Sequence, residues 1–154
     1  MEIIKVEDKD KMGYKGLLLL ADEDLNMIEK YLHRGDMFAL YDGGLKSICV
    51  VTNEGGGTCE LKNLATYEKW QHKGYGGKLI SYISSYYKGK YNVMLVGTGD
   101  VPRSINFYQK NGFSLSHRAP GFFINNYSHV MFEDGIQLID MVYLSKNLNG
   151  QSKA

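Results

Sequence analysis

The sequence predicts an α/β (α+β) fold, a mixed and mainly antiparallel sheet of about seven strands flanked by about four helices. Three observations predict it. Residues 37–41, 45–52 and 58–66 are strand-like runs joined by Asp42-Gly43-Gly44 and Asn53-Glu54-Gly55-Gly56-Gly57, the composition of an antiparallel meander. The third run passes through a short polar turn to Gly74, Gly76 and Gly77 and then into a helical pattern. Beyond it, an apolar strand, Val93-Met94-Leu95-Val96, precedes a helix that Pro102 suits at its first turn and Gly112 ends. A chain of 154 residues is one domain by size and can bury roughly 68–70% of its unfolded surface. That domain spans residues 1–148, with 149–154 a polar tail.

Taken in order, residues 2–6 form the first strand. The run Leu17, Leu18, Leu19, Leu20 suggests a helix over 11–20, and Asp22 or Asp24 caps a second one ending near His33-Arg34-Gly35. The meander follows, its glycine run reading as a hairpin loop without chemistry. Were that hairpin centred on Glu54, Cys49 and Cys59 would be cross-strand neighbours and a disulfide geometrically conceivable; free thiols are the expected state in a reducing compartment. Leu79, Ile80, Ile83, Tyr86 and Tyr87 give the next helix its apolar face, and Gly89 stops it. A strand at 92–97, a turn at Thr98-Gly99-Asp100, a helix at 102–111 and strands at 113–117 and 137–144 complete the set. Residues 119–136, with Pro120-Gly121-Phe122-Phe123-Ile124-Asn125-Asn126-Tyr127, lack a clear period. They read as a long aromatic loop that either walls a pocket or packs on the core.

Formal net charge is +1 and 23% of residues are charged, so no broad electrostatic field favours nucleic acid or a membrane surface. Any anion site must be local. Met1-Glu2-Ile3-Ile4-Lys5-Val6 lacks the basic and apolar blocks of a secretion signal, and no apolar run has spanning length, which points to a cytoplasmic protein. Asn126-Tyr127-Ser128 matches the glycosylation acceptor pattern, a chance match for a cytoplasmic chain. His33, His72, His117 and His129 have no metal-ligand spacing with one another or with the cysteines, so no metal is expected.

A glycine turn opening a helix is an anion site, because the backbone can approach closely and the first-turn N–H groups lie at the positive end of the helix dipole. Two phosphate motifs fail here. A Walker loop needs glycine where His72 stands and Ser or Thr where Leu79 stands; the dinucleotide fingerprint needs glycine at Leu79. The fuller pattern Gln71-x-x-Gly74-x-Gly76, following the strand that carries Glu60, resembles the acetyl-coenzyme A signature of the GNAT (Gcn5-related N-acetyltransferase) superfamily. Phe107-Tyr108-Gln109-Lys110-Asn111-Gly112-Phe113 resembles the second motif of that family, and the two blocks stand in the family's order over residues 45–118.

The resemblance implies transfer of an acetyl group from acetyl-CoA to an amine, on a small molecule or on a protein or peptide, without a covalent enzyme intermediate. It admits a homodimer. Backbone from Gln71 through His72, Lys73, Gly74, Tyr75, Gly76 and Gly77 would meet the pyrophosphate, with charge from His72 and Lys73, and Leu64, Ala65 and Thr66 would pair with the pantetheine arm as an added strand. Tyr108 corresponds to the family tyrosine that protonates the departing thiolate. Glu60, eleven residues before Gln71, matches the glutamate base of the histone-acetylating branch; an amine near pKa 10.4 needs a base or a water relay, at a cost of roughly 4–5 kcal/mol near pH 7. One position departs from the family: the asparagine seven residues before the tyrosine is Val101 here, with Asp100 the nearest polar neighbour. The ending Phe132-Glu133-Asp134-Gly135-Ile136-Gln137-Leu138-Ile139-Asp140-Met141 resembles a bacterial GNAT subgroup of unassigned substrate, and its acidic residues could meet a cationic amine. Two further readings stay open: a noncatalytic acyl-CoA-binding sensor, which needs residues 71–77 but not Tyr108 or Glu60, and a protein for nucleotides unrelated to coenzyme A, which needs only the glycine turn.

Overall fold

Positive φ at Gly43 (67°) and Gly44 (131°) closes the first hairpin, a backbone that side chains with a Cβ rarely adopt. It joins β2 (Asp36–Tyr41) to β3 (Leu45–Gly55), and the next turn leads into β4 (Thr58–Thr66). The computed structural model describes residues 1–149. With β1 (Glu2–Val6), β5 (Val93–Gly99), β6 (Ser114–Ala119) and β9 (Met141–Asn147), these strands form a seven-stranded sheet in the order β1-β2-β3-β4-β5-β9-β6. Every pairing is antiparallel except β4 with β5.

Alternation along β2 supplies both faces of the sheet. Phe38 and Leu40 point into a core with Cys59, Leu61, Met94, Val96 and Leu144, covered by Leu79, Ile80, Ile83 and Tyr87 of helix α3 (Tyr75–Tyr87). Met37 and Ala39 point to the other face with Ile48, Val50 and Ala65, covered by Leu17 and Leu18 of α1 (Lys15–Ala21) and Ile28 of α2 (Leu25–Glu29). Helix α4 (Pro102–Lys110) packs on the α3 side through Ile105, Phe107 and Tyr108.

The expected second helix is shorter than the sequence pattern suggests. Asp24 caps α2 by accepting from the N–H groups of Asn26 and Met27, but α2 ends at Glu29 and the chain turns before Gly35. The buried Lys11 ammonium explains the turn: it donates to the carbonyls of Leu32 (2.9 Å) and Gly35 (2.6 Å) and pairs with Asp8 (3.0 Å). Left unmet, each carbonyl would cost about 1–3 kcal/mol. Residues ahead of α1 likewise form a 3-10 segment, Asp8–Tyr14, which carries Lys11.

The aromatic stretch is not one loop. It contains α5 (Phe122–Asn126) and a two-stranded hairpin, β7 (Phe132–Glu133) with β8 (Ile136–Gln137), whose turn uses Asp134 (φ 52°) and Gly135 (φ 76°). Gln137 therefore pairs with Phe132, and the last strand begins at Met141, four residues later than the apolar pattern suggests. The β3–β4 register also corrects the cysteine expectation. Gly55 pairs with Thr58, so Cys49 faces Leu64 and Cys59 faces Asn53; both are buried free thiols, and burial pushes each up to about 12. Among the described residues no helix is long and apolar enough to cross a membrane. The expected tail beyond Asn149 lies outside the described residues.

Candidate active site

β4 and β5 pair from Thr58↔Val93 to Leu61↔Val96 and no further, although β4 continues to Thr66 and β5 to Gly99. A bulge in β4 coincides with the split. Val51 faces Leu61 while Val50 faces Asn63, leaving Lys62 as an extra residue that bends the strand and increases its twist. Between the diverging strands lies a cleft of about 530 Å³. Leu64 and Thr66 of β4 and Gly97 to Gly99 of β5 line it, so the β4 edge beyond Leu61 meets the cleft instead of another strand.

One end of the cleft is the start of α3. Gly74 adopts φ 89° at the cap position and no side chain caps the helix. The first intrahelical bond runs from the Lys78 N–H to the Gly74 carbonyl (3.0 Å), leaving the N–H groups of Tyr75, Gly76 and Gly77 without intrahelical acceptors at the cleft wall. The two following glycines serve packing: a Cβ on Gly76 would stand 3.1 Å from Phe107 Cζ, and one on Gly77 3.0 Å from Asn111 Oδ1. Gln71 ties the turn to β4 by donating from Nε2 to the Thr66 carbonyl (3.1 Å), and Lys46 Nζ sits 3.7 Å over the Trp70 ring.

Tyr108, on α4, lines the same cleft. Its ring packs edge-on to Phe107 (5.1 Å) and Phe113 (5.7 Å), and its hydroxyl has no hydrogen-bond partner among the described residues. Burial, aided by the Glu133 carboxylate, raises its pKa well above the usual tyrosine value, so it is a proton donor at neutral pH. Glu133 itself accepts from Ser104 Oγ at 2.5 Å.

The opposite wall comes from the α1–α2 connection and the α5–β7 segment. Asp22 accepts from the Tyr31 hydroxyl (3.2 Å) and from the Tyr127 hydroxyl (2.9 Å), which stitches the two segments together across 105 positions of sequence. Burial raises the Asp22 pKa against the pull of those two donors. Asn63, on β4 and 3% exposed, donates from Nδ2 to the Leu18 carbonyl (3.0 Å) and the Tyr31 hydroxyl (3.1 Å), while its Oδ1 is buried with no partner among the described residues. Among the described residues no cluster of three or more His, Cys, Asp or Glu side chains could hold a metal ion.

Residues 33–115, from the α2–β2 turn to the start of β6, match the acetyltransferase (GNAT) domain family. The chain belongs to the GNAT family of acetyltransferases. It is 34% identical over 135 residues to the uncharacterized N-acetyltransferase YvbK of Bacillus subtilis (strain 168), covering 86% of this chain and 87% of that protein. Among solved structures, a GNAT family acetyltransferase from Elizabethkingia anophelis with acetyl-CoA bound superposes with a TM-score of 0.88 at 32% identity, over 95% of this chain and 97% of that one. A Bacillus subtilis acetyltransferase in complex with CoA gives 0.86 at 32% identity, over 95% and 97%.

This GNAT chain gathers most of the residues singled out by its sequence at the cleft: Leu64, Thr66, Gln71, His72, Gly74, Tyr75, Gly76, Gly77 and Tyr108. Three lie elsewhere. Ala65 points to the α1 face of the sheet and Lys73 is exposed outside the cleft wall. Glu60 lies in the zipped part of the β4–β5 ladder opposite Leu95, 9% exposed and 3.3 Å from Lys62, so it does not face the cleft directly. The bulge at Lys62 sits between Glu60 and the open part of β4, and nothing in the local composition announces it. Asp100 offers no replacement for the missing asparagine, because it pairs with Arg118 (2.8 Å) while Val101 is buried against the α5–β8 segment. Sequence reading missed Asn63 and Tyr31 altogether and named Tyr127 only within the aromatic stretch read as walling a pocket or packing on the core; Phe123 and Tyr127 of that stretch do line the cleft. For Asn63 and Tyr31 the one signal is a polar or aromatic residue inside an apolar run, which by itself names no partner.

Proposed function

We propose that this GNAT protein moves an acetyl group from acetyl-CoA to a primary amine by direct transfer in a ternary complex. One observation carries the reading: an unpaired strand edge, an uncapped glycine-rich helix start and an unpartnered tyrosine hydroxyl border a single cleft. Two relatives of similar fold at 32% identity bind acetyl-CoA or CoA. In this reading the N–H groups of Tyr75, Gly76 and Gly77 meet the pyrophosphate, with Gln71 and Gly74 shaping the turn and His72 adding charge when protonated. The pantetheine amide arm completes the open edge of β4 at Leu64, Ala65 and Thr66, where main-chain groups do the work and the direction of the Ala65 side chain is immaterial. The amine nitrogen attacks the thioester carbonyl, the C–S bond breaks, and the sulfur takes its proton from Tyr108.

Glu60 acts in this scheme at the end of a water relay rather than on the amine itself. Burial raises its carboxyl above the usual glutamate value of 4.5, outweighing the pull of Lys62. The folded chain therefore binds this proton more tightly than the unfolded chain. The group favours folding below pH 4.5, and that contribution is lost as pH rises through the folded pKa. Glu60→Gln is expected to raise the melting temperature near neutral pH, with no gain below the glutamate range, and to flatten the acid limb of kcat/KM. An unchanged limb removes Glu60 from the relay.

The reading is tested by amine-dependent release of CoA thiol from acetyl-CoA, with mass spectrometry of the acylated product. Thiol release that requires amine and leaves no acetyl group on the protein is the expected outcome. Stoichiometric acetylation of the enzyme would replace direct transfer with a covalent route, and cofactor binding without turnover across an amine panel would favour the noncatalytic sensor.

A further inference from the structure

Asp22 is a carboxylate whose charge no cation among the described residues balances. It lines the cleft, it is half-buried, and its partners among the described residues are neutral: the Tyr31 and Tyr127 hydroxyls and the Asp24 N–H at 3.4 Å. The other acidic groups of this wall are engaged. Glu23 lies 3.6 Å from His129, Glu133 accepts from Ser104, and Asp134 pairs with Arg103 at 2.6 Å. Beside Asp22, through the shared Tyr31 hydroxyl, stands Asn63 with a buried carbonyl oxygen that accepts from no group among the described residues. The Leu18 carbonyl fixes the orientation of that amide, because only the NH2 group can donate to it. A buried acceptor left unmet costs about 1–3 kcal/mol. An anion and an orphan acceptor joined by one hydroxyl form a receptor for a group that carries positive charge and several N–H donors.

That group is not the reacting nitrogen. Attack on a thioester requires a free amine, and an ammonium paired with a carboxylate holds its proton more tightly. Building on the acetyltransfer reading, we propose that Asp22 and Asn63 Oδ1 bind a second cation of the acceptor. The substrate class is then a diamine or polyamine, or another amine bearing a separate ammonium or guanidinium group. Tyr31 and Tyr127 hold the carboxylate in place, and the α5–β7 segment thereby completes the subsite.

The test compares 1,5-diaminopentane with hexylamine, which match in length because a methyl stands where the diamine has its second ammonium, using CoA thiol release at saturating acetyl-CoA. In the wild-type protein kcat/KM for the diamine is expected to exceed that for the monoamine by about tenfold or more, equivalent to about 1.4 kcal/mol, with the difference in KM. Asp22→Asn should reduce the ratio to about one, mostly by raising KM for the diamine. Tyr127→Phe removes one hydroxyl, keeps the fold, and should reduce the ratio partly. Equal use of the two amines by the wild type, or a preference that survives in Asp22→Asn, overturns the subsite. So does acetyl-CoA binding with turnover of neither amine. Should Asp22→Asn fail to fold, the wild-type ratio and the Tyr127→Phe variant still decide. Failure of acetyl-CoA to bind at all is a separate result, which removes the acetyltransfer reading underneath.

Discussion

Tyr108→Phe lowers kcat by about 100-fold or more, the range of a lost general acid, while the affinity for acetyl-CoA and the melting temperature stay near wild type. The expectation follows from what the hydroxyl does in the resting protein: it lines the cleft and bonds to nothing among the described residues. Removing it leaves no protein group unpaired and keeps the ring contacts with Phe107 and Phe113. The raised pKa keeps the phenol protonated at neutral pH, which is the state needed to give a proton to a leaving sulfur. Steady-state kinetics with a separate binding measurement check the split between kcat and affinity. A kcat within about twofold of wild type would take Tyr108 out of the mechanism.

Gly76→Val weakens acetyl-CoA binding by roughly tenfold to a hundredfold, whereas Gly76→Ala has a small effect. The first added carbon would stand 3.1 Å from Phe107 Cζ and 3.7 Å from Leu64 Cδ2, a contact that a small ring shift relieves. Two further branches at Cβ have no such relief and force α3 away from α4 and β4. The N–H groups of Tyr75, Gly76 and Gly77 would then move together, which is why the loss is expected in affinity before kcat. Isothermal titration of the two variants checks the order. Equal affinity in Gly76→Val and wild type would mean that the first turn of α3 does not hold the cofactor.

Much of this molecule was legible in its sequence because its signals are local. Alternation in β2, β3 and β4, the glycine turn before α3, and Pro102 and Gly112 bracketing the α4 region each act within a few residues, and they place the side of the cleft proposed to hold the cofactor. The misses share the opposite character. The Cys49 and Cys59 register depends on where the turn sits in a run of three glycines that all adopt positive φ, and such a run admits more than one hairpin centre. Helix α2 stops early because Lys11 draws in two carbonyls more than twenty positions away. The Asp22, Tyr31, Tyr127 and Asn63 network joins four segments, and each member alone is an ordinary polar residue. Hence the side of the cleft proposed to take the acceptor, built from long-range contacts, had to be seen in three dimensions.

The most direct measurement is a calorimetric titration of the purified protein with acetyl-CoA, with free CoA and ATP as controls. Saturable binding of acetyl-CoA in the micromolar range, about −8 kcal/mol, with no comparable binding of ATP, is the predicted result. Correctly folded protein that binds no acetyl-CoA, or that binds ATP in its place, would contradict the proposal that the split between β4 and β5 and the start of α3 hold this cofactor.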